Sequence, residues 1–174
     1  MSRSIYISTV EPGCGKVVFS LGLIELALRH TTRVGFFRPV IEAPLPGQRD
    51  EDADLILRHF GLPQAYEESY AWFQQELLEH LGGHHEDEVI ERIIDRYKQL
   101  EKRCDFVLIE GTDFLGHVSA LEFDFNSLIA RNLSAPVLVV GNAHGRTSRE
   151  SVDAVHIAVD AYEEWLTTDG PISD

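Results

Sequence analysis

The chain has 174 residues, enough for one domain of ordinary size, and 44% of them are hydrophobic, as expected for a globular protein with one core. Lys and Arg number 15 against 29 Asp and Glu, so the net charge of −14 argues against a general nucleic-acid binder and against docking on an anionic membrane surface. Two cysteines, Cys14 and Cys104, do not make a disulfide-rich secreted scaffold. The sequence has no leader-like opening and no run of about 18 apolar residues, so we expect a soluble cytoplasmic domain.

Short apolar runs and longer amphipathic stretches alternate along the chain. The runs are continuous, which is typical of strands covered on both faces in a parallel sheet, and they occupy residues 5–7, 34–37, 106–109 and 137–140. The predicted helices cover residues 17–30, 86–103 and 150–166, a segment that Asp124 caps and that ends at 133, and shorter segments around 51–60 and 67–80. This order predicts an α/β fold, a mostly parallel sheet flanked by helices, in one domain over 1–166 with a tail at 167–174.

A glycine-rich turn separates the first strand from the first helix, which is the setting of a phosphate-binding loop. Gly13 and Gly15 let the backbone curl around an anion, and Lys16 would reach its terminal phosphates. The sequence departs from the pattern G-x-x-x-x-G-K-[ST] twice, because Val10 stands at the first glycine and Val17 at the Mg²⁺-binding hydroxyl. We therefore expect binding of a phosphate group rather than hydrolysis of a nucleotide. A tight turn with a solvated lysine is the alternative.

Charged residues from three separate elements are predicted to share one crevice. Lys16 lies in the loop, Arg38 follows the second strand and Glu110 ends the third. Ligands of open α/β sheets bind outside the carboxyl ends of the strands, where these side chains would meet. The alternative is an ion pair without a ligand. Further polar residues that could line the crevice, or only cap its loops, are Thr112, Asp113 and Asn142.

Two other groups of polar residues are weaker candidates, one for a metal site and one for a phosphate-binding site. His80, His84 and His85 stand near acidic residues, but their spacing favours a flexible polar loop over a metal centre. Arg146 and Arg149 could reach a phosphate, although a capped helix start with solvated arginines is the favoured interpretation.

The order and spacing of several motifs resemble a known family. The chain is similar to dethiobiotin synthetase and, more strongly, to the dethiobiotin-synthetase-like N-terminal domain of long phosphate acetyltransferases. The resemblance covers most of residues 1–165 and implies a P-loop-NTPase-type α/β fold. In the long acetyltransferases the acetyl-transferring part is a separate C-terminal domain, and the N-terminal domain is regarded as regulatory. The motifs that carry the resemblance are residues 4–17, 34–40, 105–111, 125–133 and 135–140.

The resemblance also assigns roles by position. In the synthetase, the loop binds the phosphates of ATP, and Lys16 would be the phosphate-binding lysine. Thr9 falls on the first glycine of the synthetase's loop, which is longer than the general pattern, and Val17 falls on the hydroxyl residue that holds Mg²⁺ in the synthetase. Arg38 replaces the lysine that follows the second strand, so that its positive charge is kept but its geometry is altered.

Acidic residues after later strands hold Mg²⁺ in the synthetase. Glu110 lands on the acid of its Glu-Gly pair, and either Asp52 or Asp54 could match the acid of the intervening loop. The cofactor implied is ATP or another nucleotide with Mg²⁺. Because Val17 has no hydroxyl, the resemblance leaves it open whether a metal is held at all.

Three hypotheses follow for the function. The first is a regulatory domain that binds a nucleotide or another small phosphate-bearing metabolite, forms a homo-oligomer and is joined to a C-terminal acetyltransferase domain, with no acetyl transfer in this chain. The second is an ATP- and Mg²⁺-dependent synthetase of the dethiobiotin or cobyrinate-amidating type. The third is an oligomerisation module with a vestigial loop. No further strand follows the helix at 150–166, so we expect either a fragment or a compact standalone relative.

Overall fold

The computed structural model describes residues 3–11, 14–42, 47–83, 85–112 and 119–167. Within this part, four strands form a parallel sheet in the order β2-β5-β1-β6, and two short strands, β3 and β4, pair in a second sheet. All four predicted strands are confirmed. In chain order the strands are β1 (Arg3–Thr9), β2 (Val34–Phe37), β3 (Val40–Ile41), β4 (Trp72–Phe73), β5 (Phe106–Glu110) and β6 (Val137–Val140).

Helices connect the strands and flank the main sheet, as the alternating pattern predicts. None of the helices in the described part of the chain is both long and apolar enough to cross a membrane. A 3₁₀ turn at Tyr66–Glu68 precedes β4. The helices are α1 (Lys16–Leu28), α2 (Glu51–Phe60), α3 (Gln74–Gly82), α4 (Glu86–Glu101), α5 (Ser119–Asn132) and α6 (Ser148–Thr167).

Each face of the main sheet carries its own apolar layer, because successive side chains of a strand point to opposite faces. Tyr6 and Ile109 belong to the layer that α4 and α5 cover. Ile7 and Leu108 belong to the opposite layer, which α1 and α2 cover. Side chains therefore fill both faces around β1 and β5, and the charged residues of the predicted crevice follow the carboxyl ends of the strands.

The structure corrects three details of the prediction. Asp124 lies inside α5, which begins at Ser119, so it is not the helix cap. The segment predicted as a helix around 67–80 contains β4 and only then α3, because the aromatic pair at 72–73 pairs with Val40 and Ile41 rather than starting a helix. The run at 137–140 forms an edge strand, and Leu138 keeps 38% of its surface exposed, so it is not covered on both faces.

Candidate functional site

The described part of the turn before α1 ends in a left-handed glycine at the start of the helix. Gly15 has a left-handed φ of +74°, and its carbonyl accepts a hydrogen bond from Val18 N, the first turn of the helix. A left-handed residue favours glycine, and the space around Gly15 is open. Thr9 ends β1 opposite Val140. Gly13 lies outside the described residues, so its predicted role is not addressed.

Lys16 begins α1, but its side chain is buried rather than solvated. Only 5% of its surface is exposed, and Nζ donates a hydrogen bond to the carbonyl oxygen of Gly111 at 2.5 Å. The solvated lysine of the alternative interpretation is therefore wrong. The lysine thus connects the loop after β1 with the end of β5.

Glu110 is the last residue of β5 and is fully buried. Its Oε2 accepts a hydrogen bond of 2.5 Å from Ser20 Oγ on α1, and its Oε1 lies 3.7 Å from Arg38 Nε. Burial raises the pKa of Glu110 because it disfavours the charged form, while the cations of Arg38 and Lys16 and the bond from Ser20 oppose that rise. The sequence therefore brings Lys16, Arg38 and Glu110 together, as predicted.

Arg38 follows β2 and joins the end of β5 to the start of α2. Its Nη1 lies 2.9 Å from Asp50 Oδ1 and 3.2 Å from Asp52 Oδ2, in addition to the contact with Glu110. Asp50 is buried and also caps α2, since its Oδ1 accepts a hydrogen bond from Ala53 N at 2.9 Å. Asp50 and Ser20 are site residues that the sequence analysis missed. The signal for Asp50 was its position directly before the acidic first turn of a predicted helix.

The predicted metal-binding carboxylates do not share a vacant centre. Asp54 forms ion pairs with Arg49 at 2.9 Å and with Arg58 at 2.8 Å. Among the described residues, no three His, Cys, Asp or Glu side chains are placed to hold a metal ion.

The remaining predicted carboxylates, Asp52 and Glu110, already share a cation. The guanidinium of Arg38 lies against both of them, and the partly buried Val17 packs in an apolar cluster and offers no hydroxyl. This donor set does not fit a Mg²⁺ ion as it stands.

A buried amide holds the backbone after β5. Asn126 Oδ1 accepts hydrogen bonds from Tyr6 Oη at 2.6 Å and from Thr112 N at 2.9 Å, and its Nδ2 donates to Thr112 O at 3.1 Å. The amide fixes the peptide next to Gly111, whose carbonyl holds Lys16. Asn126 was not predicted to take part in the site. Because α5 carries other polar residues, such as Glu122, Asp124 and Ser127, its sequence pattern did not single out Asn126.

The polar residues after β6 form loop caps. Asn142 Oδ1 accepts a hydrogen bond from His144 N at 2.8 Å, and Thr147 and Glu150 cap α6 through reciprocal bonds. The predicted capped helix start is thus confirmed. Arg146, however, is not a solvated arginine without a partner, because it forms an ion pair with Glu11 in the loop after β1. Asp113, which was predicted to line the crevice, lies outside the described residues.

Of the histidines in and after α3, His80 packs against an aromatic ring and His85 forms a surface contact. The ring of His80 stacks on Trp72 with centroids 4.6 Å apart. His85 Nδ1 lies 3.2 Å from Glu88 Oε1 on the surface. His84 lies outside the described residues.

Comparison with curated proteins identifies relatives along nearly the whole chain. It is 42% identical to a phosphate acetyltransferase of Nitratidesulfovibrio vulgaris over 94% of this chain and 23% of that protein. It is 38% identical to a phosphate acetyltransferase of Synechocystis sp. over 94% of this chain and 24% of that protein. An ATP-dependent dethiobiotin synthetase of Serratia marcescens is 26% identical over 81% of this chain and 65% of that protein. The chain thus spans about a quarter of the length of these acetyltransferases and corresponds to their N-terminal part.

The family profile agrees with the fold and with the resemblance found in the sequence. A profile described as an AAA domain, of the P-loop NTPase type, matches residues 3–165. That range includes the parallel sheet, the loop before α1 and the cluster around Arg38. The predicted resemblance to dethiobiotin-synthetase-like domains and to the N-terminal part of phosphate acetyltransferases is confirmed. This chain therefore belongs to the AAA domain family, with a P-loop NTPase-type α/β fold.

Proposed function

We propose that this chain is a regulatory domain that binds a nucleotide or another phosphate-bearing metabolite at the loop before α1, without catalysing acetyl transfer itself. The observation that carries the proposal is the position of Lys16. It begins a helix directly after the left-handed Gly15, and its ammonium group is held on the carbonyl of Gly111, the residue that follows Glu110 at the carboxyl end of β5.

The loop offers an anion three favourable features. The N-terminus of α1 presents backbone N–H groups and the positive end of the helix dipole. Lys16 adds an ammonium group, and the Arg38 guanidinium lies 3.7 Å from the carboxylate of Glu110, the residue before Gly111. A guanidinium suits phosphate oxygens because it can donate two parallel hydrogen bonds. Together these groups support recognition of a phosphate.

Two features favour binding over nucleotide hydrolysis. Val17 stands at the position where a P-loop supplies a hydroxyl to Mg²⁺, and its side chain packs in the apolar layer under α1. The carboxylates expected to complete a metal site are engaged with Arg38, or with Arg49 and Arg58. A ligand that is bound and not consumed is suited to a regulatory role.

The relatives suggest the wider setting of this domain. Because its relatives are phosphate acetyltransferases about four times as long, we propose that the domain acts together with a C-terminal acetyltransferase domain. In that setting, occupancy of the loop would alter acetyl transfer in the attached part. A homo-oligomer, as expected for this kind of domain, would connect the sites of several copies.

Calorimetric titration of the chain with ATP tests the binding step. We expect saturable heat for the wild type and its loss in Lys16→Met, which removes the ammonium group but keeps an unbranched chain at this buried position. Lys98→Met, a change of the same type on the exposed surface of α4, is the matched control and should bind as the wild type does. Circular dichroism checks that each variant folds. Absence of heat from the folded wild type at millimolar ATP, or equal binding by Lys16→Met, would overturn the proposal.

A further inference from the structure

Arg38 is held by three carboxylates that differ in how firmly they are fixed. Asp50 is buried and also anchored by its bond from Ala53 N. Glu110 is fully buried and lies 3.7 Å away. Asp52 pairs with Arg38 at 3.2 Å, but its side chain is 42% exposed. Of the three partners, Asp52 is the one that faces solvent.

Of these ion pairs, the one between Arg38 and the exposed Asp52 costs the least folding free energy to break. Ion pairs with a solvent-exposed partner contribute little to stability, because water solvates the released carboxylate. Breaking the buried contacts with Asp50 or Glu110 would instead leave an uncompensated charge in the interior, which is strongly unfavourable. An incoming anion would therefore displace Asp52 and leave the other two contacts of Arg38 in place.

We propose that Asp52 is an internal substitute for the ligand, and that a phosphate group displaces it from Arg38 and binds there without a divalent cation. This inference rests on the proposed function, because it concerns the same loop and the same ligand class. The exchange replaces one anionic partner of the Arg38 guanidinium with another. Lys16, whose ammonium group bonds to the carbonyl of Gly111 directly after Glu110, would approach the same phosphate.

The guanidinium thus performs the electrostatic task that a metal would perform. It lies against Asp52 and Glu110, the two carboxylates that would otherwise have to share a metal ion. A metal ligand and an internal competitor differ in the sign of their effect. Removing the charge of a metal ligand weakens binding, whereas removing the charge of a competitor strengthens it.

The test is calorimetric titration with ATP in two buffers, one with EDTA and one with Mg²⁺. For the wild type we expect dissociation constants that agree within about twofold between the buffers. Asp52→Asn should bind about two- to fivefold more tightly than the wild type, the range expected for removal of one weak competing ion pair. Asp54→Asn is the matched control. It makes the same charge change in the same helical turn, but at a residue paired with Arg49 and Arg58, so its affinity should not change.

The outcomes separate this inference from the proposed function. Binding by the wild type only in the presence of Mg²⁺, or weaker binding by Asp52→Asn, would overturn the inference and leave phosphate binding intact. Equal tightening by Asp52→Asn and Asp54→Asn would show a general effect of net charge and would also overturn it. Absence of heat for the wild type and for Asp52→Asn in both buffers would refute the proposed function itself, and the inference with it.

Discussion

Replacing Gly111 with alanine provides a sharp test of how the backbone after β5 is packed. A Cβ built at this position would lie 2.7 Å from Asn126 Oδ1, 2.8 Å from Tyr6 Cε1 and 2.9 Å from the carbonyl oxygen of Ile7. The last of these atoms belongs to the backbone of β1, which also accepts a hydrogen bond from Gly111 N at 2.8 Å. Rotation of a side chain alone therefore cannot make room for the new methyl group.

The expected cost combines two contributions. Forcing a methyl group into a filled interior costs about 1–3 kcal/mol. Displacement of Asn126 would also weaken its bonds with Tyr6 and Thr112, each worth about 1 kcal/mol. We therefore expect Gly111→Ala to lower the free energy of unfolding by about 3–5 kcal/mol and the melting temperature by about 10–15 °C.

Urea unfolding followed by circular dichroism measures this loss, and Gly22→Ala provides the control. Gly22 lies within α1, and a Cβ there meets no atom within 4 Å. The same change at Gly22 should raise the free energy of unfolding by about 0.5–1 kcal/mol, because alanine is the better helix former. The reasoning would be refuted if Gly111→Ala cost less than about 1 kcal/mol with an unchanged dependence on urea.

Two further predictions concern single positions. Ser134 follows α5 with a left-handed φ of 51°, so Ser134→Gly should raise the free energy of unfolding by about 0.5–1 kcal/mol; an unchanged urea midpoint would contradict this. Burial raises the pKa of Glu110 in the folded state, so the folded protein keeps the carboxyl proton to a higher pH than the unfolded chain does. The contribution of Glu110 to the free energy of unfolding therefore declines as the pH rises from the ordinary pKa of the group through its raised pKa. Urea unfolding between about pH 5 and pH 8 should therefore show the stability of Glu110→Gln rising relative to the wild type, and a difference that falls with pH would count against this assignment.

The proposed ligand exchange at Arg38 also gives a reason for the acidic surroundings of the loop. A phosphate-binding site in a protein of net charge −14 does not need a basic surface, because local donors decide whether the anion is held. In the absence of a ligand, Arg38 forms ion pairs with the carboxylates of Asp50 and Asp52. These partners compensate the charge of a buried guanidinium that would otherwise destabilise the fold.

Much of this architecture could be predicted from local sequence pattern. Continuous apolar runs predicted the four strands of the main sheet. For β2 and β5 the reason is burial on both faces, which leaves no polar alternation, whereas β6 has the same pattern although it is partly exposed. The glycine-rich turn between β1 and α1 predicted the loop, because its residue types suit that backbone. Charged residues directly after strands predicted that Lys16, Arg38 and Glu110 would meet, since the carboxyl ends of parallel strands share one edge.

Local pattern failed where contacts between distant segments decide the structure. The short pair of β3 and β4 joins residues about 30 positions apart, and neither strand has enough residues to show a period. The partners of the acids at the start of α2 depend on tertiary packing in the same way. Asp52 faces Arg38, whereas Asp54, two positions later, points to Arg49 and Arg58, because residues two apart on a helix face different directions.

The sequence by itself thus determined the class of fold, the loop and the set of charged residues at one edge of the sheet, because each depends on local residue type and on the direction of parallel strands. The tertiary structure alone decided how those charges are paired. It placed Lys16 on the carbonyl of Gly111 and put Arg38 against Asp52 and Glu110, two carboxylates that the resemblance offered as candidate metal ligands. Such pairing depends on distances of a few ångströms between side chains from different elements, and no local pattern in a single sequence encodes those distances.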